Sequence, residues 1–163
     1  MKAEISSMGL IMNLQKGKIK METYIHYGHK SFDKNRFIKI ENKLGVKPKG
    51  GFWASNVNAY NGWRDWCESN DYRECAEENS FKFTLSEDAK VCIVNSKQDL
   101  ENLPKQPISE RSSWEIIDFE KLKETYDAIE INISKDYELY YLLYGWDCDS
   151  ILIMNPNIIE PIN

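Results

Sequence analysis

The stretch from Gly145 to Pro156 constrains the fold most. It reads Gly-Trp-Asp-Cys-Asp-Ser-Ile-Leu-Ile-Met-Asn-Pro. A short apolar run bounded by a turn-like glycine and by a proline reads as a strand buried on both faces. Side chains alternate across a strand, so Asp147 and Asp149 are expected to point the same way at its entrance. Each carboxylate raises the cost of ionising the other, and such a pair marks either an exposed strand end or a site.

At 163 residues the chain is long enough for one domain with its own core. No apolar stretch approaches the ~20 residues that span a bilayer. Residues 1–20 hold only the short apolar piece Met8-Gly9-Leu10-Ile11-Met12, which is no secretory signal, so a cytoplasmic location is expected. Cys67, Cys75, Cys92 and Cys148 show no Cys-x-x-Cys spacing, and a chain of this size needs no disulfides. Cys92 and Cys148 sit in or beside apolar runs, where thiols act as small hydrophobes. His26 and His29 are the only histidines, and no cysteine pair is spaced to complete a zinc set, so no metal is expected. The first fifty residues are basic and the remainder acidic, within a net charge of −5. A basic segment can attract a nucleotide or RNA, but these lysines are scattered and read as solvated surface.

Residues 1–20 read as an N-terminal extension and 21–163 as a single domain. Tyr24-Ile25-His26-Tyr27 is rich in strand formers and ends at Gly28. Residues 31–49 carry apolar marks at Phe32, Phe37, Ile38, Ile40, Leu44 and Val46, and predict a short helical turn and a loop. Lys47-Pro48-Lys49-Gly50-Gly51 is a turn, and Phe52–Ser55 a short strand. Asn61 is placed to cap a helix through Glu68, on which Trp63 and Trp66 share a face. Phe81–Leu85 alternates and predicts a half-buried strand, Lys90–Val94 a more buried one. Ser96 opens a capping box for a helix ending near Pro104, and 104–113 is a polar loop. Phe119–Tyr126 predicts a helix and Tyr126–Ile133 an alternating strand, with the acidic-pair strand last. The whole predicts an α+β fold built on antiparallel or mixed sheets with a few short helices.

Three pieces follow in order: Tyr24-Ile25-His26-Tyr27-Gly28, Gly50-Gly51-Phe52-Trp53-Ala54-Ser55, and Asp147-Cys148-Asp149-Ser150-Ile151-Leu152-Ile153. Together they resemble the ADP-ribosyltransferase superfamily, which includes poly-ADP-ribose polymerases and the diphtheria-toxin-like and arginine-modifying toxins. Members carry His or Arg closely followed by Gly on a first strand, then an aromatic or Ser-containing strand, then an acidic-x-Glu pair opening a last hydrophobic strand. The chain has Asp149 where members usually have Glu, Tyr27 between His26 and Gly28, and Trp53 for the usual Tyr.

The resemblance implies an ADP-ribosyltransferase-like fold of two facing antiparallel or mixed sheets, with a cleft between them that grips NAD as a substrate. His26 would hydrogen-bond the adenine-side ribose, with Tyr27 beside it, and Gly28 would let the backbone approach the carboxamide. Trp53 would stack on the nicotinamide, and Ser55 would hold a ribose or Asp149. Asp149 would stabilise positive charge on the ribose as nicotinamide leaves, and Asp147 would orient the acceptor or act as base. The acceptor would be a protein or nucleic acid, or water. Two other classes stand beside this one. One is a non-catalytic nucleotide- or protein-binding module. The other is an interaction protein, such as an inhibitor, using Trp63, Trp66, Tyr140 and Tyr141 as an exposed patch.

Overall fold

The computed structural model describes residues 21–43, 45 and 47–162. The expected N-terminal extension, 1–20, and the apolar marks Leu44 and Val46 lie outside the described residues. Nine strands and four short α-helices alternate along the described residues. They are β1 (Tyr24–Tyr27), β2 (Phe52–Asn56), α1 (Trp63–Ser69), β3 (Ser80–Leu85), β4 (Val91–Val94), α2 (Lys97–Glu101), β5 (Lys105–Pro107), β6 (Glu115–Ile117), α3 (Phe119–Leu122), β7 (Ala128–Ile131), α4 (Tyr137–Leu142), β8 (Ser150–Ile153) and β9 (Ile159–Pro161). Seven strands make one mixed sheet in the order β4-β7-β8-β2-β1-β3-β9, and β5 and β6 pair as a separate hairpin. Only β4 and β7 run parallel.

The α+β class with few short helices is thus observed. Where the resemblance implies two facing sheets, the main sheet is a single one of seven strands, because β2 pairs with β1 on one side and β8 on the other. The acidic-pair strand is not the last: β9 follows it and pairs with β3 at the sheet edge. The loop expected over 104–113 contains β5, a three-residue strand that turns back to pair with β6 and is too short to show an alternating pattern. The helix expected to reach Tyr126 stops at Leu122.

The registers sort the sheet's two faces. Ile25 lies opposite Ser55, Trp53 opposite Leu152, and Leu152 opposite Ile129. This face packs under α2, α3 and α4, where Leu100, Phe119, Leu122 and Leu139 meet Ile129, Ile131 and Leu152 in the main core. Farther along the same face, α1 covers β1, with Trp63 and Trp66 against Tyr27, Cys67 and Cys75. Tyr24, Ala54, Phe83, Ile151 and Ile153 face the other way and form a smaller core with Ile158 and Ile159. Both β7 and β8 are therefore buried at every position. For β8 this is the sequence expectation; for β7 the alternation read from sequence leaves no exposed face, because Glu130 is buried on the second face. β4, expected to be more buried, is an edge strand, and its Ile93 is 54% exposed.

Candidate functional site

Between α1 and the layer of α2–α4, the first face is left uncovered over Trp53 and Ser55. The cause is a split in the sheet. β1 and β2 share only two ladder pairs, Tyr24 with Asn56 and Ile25 with Ser55. Beyond these β1 follows β3 to the Tyr27–Ser80 pair, while β2 follows β8 to the Phe52–Ile153 pair. His26 bridges the parting strands. Its Nδ1 lies 2.7 Å from the Trp53 carbonyl oxygen, and its ring packs 4.5 Å from that of Phe52. A carbonyl only accepts, so Nδ1 carries the proton and Nε2 presents a lone pair, to which His29 Nδ1 donates at 3.1 Å. Burial lowers the His26 pKa below its ordinary value, which keeps the ring neutral in this tautomer.

A cavity of about 280 Å³ opens over the split. Ile25, Tyr27, Trp53, Ser55, Trp63, Asp147, Cys148 and Ser150 are among the residues that line it. Two cations stand at its rim. The Arg73 guanidinium lies 5.5 Å over the Trp63 ring and donates to the Tyr27 carbonyl at 3.3 Å. Lys47 Nζ lies 3.0 Å from the Asp147 carboxylate and 5.6 Å over the Trp53 ring. Trp53 is held from beneath by Trp146, ring centroids 4.8 Å apart. Burial pushes the Cys148 thiol up to about 12, against the pull of the Lys47 charge. It is an inert part of the wall.

Of the residues singled out from sequence, His26, Tyr27, Trp53, Ser55 and Asp147 line this one cavity. Gly28 does not; it turns the chain at the end of β1 with φ +122° and donates to the Asn79 carbonyl. Ser55 is buried and its hydroxyl is committed, donating to the Asp149 carbonyl and accepting from Trp63 N–H, both at 2.9 Å. It ties the first turn of α1 to the end of the acidic segment. That first turn is opened by Gly62, with Asp65 reaching back to its N–H, rather than by Asn61.

The two carboxylates do not share a face. Both precede the first residue of β8, so strand alternation does not reach them. Asp147 lines the aromatic cavity, while Asp149 is 3% exposed and borders a broader polar cleft with Asn56, Glu130 and Ser134. Asp149 Oδ1 accepts from Ser134 N–H at 2.9 Å, and Oδ2 accepts from the Ser134 hydroxyl and from Asn61 N–H at 3.3 Å. Arg73, Lys47 and Trp63 were missed as site residues. Lys47 was read only as part of the turn before β2 and Trp63 only for its spacing with Trp66, while Arg73 carried no sequence signal.

Compared with protein-family models, with curated proteins and with solved structures, the chain matches none. No group of three or more candidate metal ligands occurs among the described residues. None of the described helices is long and apolar enough to cross a membrane.

Proposed function

We propose that the cavity over the β1–β2 split binds NAD, that the fold is ADP-ribosyltransferase-like, and that the protein breaks the nicotinamide–ribose bond and passes ADP-ribose to a macromolecular acceptor. The observation that carries this reading is the gathering of Tyr27, Trp53, Ser55 and Asp147 around one cavity with a cation on either side. The Trp53 ring offers a flat face to nicotinamide. Arg73 and Lys47 suit a diphosphate. His26, with Nδ1 committed to the backbone, offers Nε2 to a ribose hydroxyl in exchange for His29. Asp147 is the carboxylate of the cavity, and its negative charge would oppose the positive charge that develops on the ribose as nicotinamide leaves. Asp149 serves from behind: its main chain holds Ser55 and its side chain holds the 147–149 segment.

A second reading, NAD binding without turnover, is favoured by the engagement of both carboxylates, Asp147 with Lys47 and Asp149 with Ser134 and Asn61. Nicotinamide release from NAD, measured with and without cell lysate beside Asp147→Ala, separates them. Release that needs lysate and is lost in the variant supports the transferase. Release without lysate marks a glycohydrolase. An NAD-dependent rise in melting temperature without release supports the binding module. Neither release nor a rise would sink the NAD reading.

A further inference from the structure

Lys47 occupies the place a ligand would need. Its ammonium group is shared between the Asp147 carboxylate and the face of Trp53, the two groups that would meet the reacting ribose and the nicotinamide ring. It is not buried there: the Lys47 and Asp147 side chains are 38% and 36% exposed. An ion pair this exposed is weak and readily exchanged. Arg73, the other cation of the rim, is engaged differently, with a backbone carbonyl and the Trp63 ring and, among the described residues, no carboxylate. Of the two, only Lys47 must let go of an acid for that acid to act.

We propose that Lys47 is a specificity-determining residue that makes the cavity select ligands carrying phosphate. An entering diphosphate offers the ammonium group a more highly charged partner than Asp147. Lys47 then moves from the carboxylate to the phosphate, uncovers the Trp53 ring and frees Asp147 for the ribose. A ligand of the same ring and ribose without phosphate must displace Lys47 with nothing to receive it. The salt bridge therefore penalises the unphosphorylated ligand and rewards the phosphorylated one. This inference rests on the reading of the cavity as an NAD site.

The test is titration calorimetry of the full chain with NAD and with nicotinamide riboside, in the wild type, Lys47→Gln and Lys47→Arg. The wild type is expected to bind NAD more tightly. Lys47→Gln should bind NAD about tenfold more weakly, for one lost charge-assisted contact, and nicotinamide riboside more tightly. Lys47→Arg should restore the preference for NAD. A merely structural lysine would move both affinities in the same direction. Parallel changes, or none, with NAD still binding to the wild type would overturn the role of Lys47 and leave the NAD reading standing. Binding of neither ligand to the wild type would overturn both.

Discussion

Asp147 and Asp149 are two residues apart and do opposite work, and substitution should separate them. Asp149 is buried and accepts three hydrogen bonds, so Asp149→Ala strands the Ser134 and Asn61 N–H donors. The expected loss is about 2–4 kcal/mol, read from urea denaturation. Asp147 is half-exposed and pairs with a lysine, so Asp147→Asn should change stability by less than about 0.5 kcal/mol while, on the proposed reading of the cavity, abolishing nicotinamide release. Stability loss in Asp147→Asn comparable to that in Asp149→Ala would contradict this division. His26 carries a pH dependence of definite sign. Above the ordinary histidine value of about 6.5 it is neutral in folded and unfolded chains alike. Its folded pKa is lowered by burial, so as pH falls the unfolded chain takes the proton first and stability declines through the folded pKa. His26→Asn, whose amide can still donate to the Trp53 carbonyl, should flatten the melting-temperature profile between pH 7 and the acid limb, an expected outcome set by the usual histidine range.

Between elements, the turn before β2 decides how the strand enters the sheet. Gly50 has φ +80°, and a Cβ there would stand 2.6 Å from the Ile38 carbonyl oxygen and closer still to that of Lys39. Backbone cannot yield as a side-chain end can. Gly50→Ala should therefore cost at least about 2 kcal/mol in chemical denaturation, from left-handed strain and the clash together. Gly51 follows with φ +74° and sits against Leu152 and Ile40, which brings β2 onto β8. The Lys-Pro-Lys-Gly-Gly signal was legible as a turn because these residues announce backbone geometry directly. The hairpin of β5 and β6 was not, since its strands are only three residues long and show no alternating apolar pattern. The register of Tyr24–Tyr27 with its neighbours was equally hidden, and so was the split that opens the cavity.

For the molecule as a whole, burial is continuous across the sheet centre, and the four cysteines report on it. All are free and buried, and burial pushes the Cys67 thiol up to about 11 and that of Cys148 to about 12. A chromogenic disulfide reagent at pH 8 should label none of them quickly in the native protein. All four should react together, at the rate of unfolding, once denaturant is added. A single fast thiol would show that part of the core opens locally. Outside the core, α4 and the turn after it leave Tyr137, Tyr140, Tyr141 and Tyr144 exposed, whereas Trp63 and Trp66 stack on each other at 5.2 Å and are half-buried. The four aromatic residues once grouped as one surface patch thus belong to two places with different roles.

By itself the sequence determined the local alphabet of the protein: the strand at β8 from its apolar run, β1 and β2 from their β-branched and aromatic residues, the turns from Pro and Gly, and the cap of α2 from Ser96. These follow from short-range backbone preference and from apolar periodicity, which one segment carries alone. The tertiary structure decided everything that depends on which segments meet. It joined seven strands into one main sheet, parted β1 from β2 and bridged the gap with His26. It also turned Asp149 away from Asp147, and brought Lys47 and Arg73 to the rim of the cavity. Such outcomes come from long-range pairing and from where buried polar groups find partners, and no local pattern specifies either.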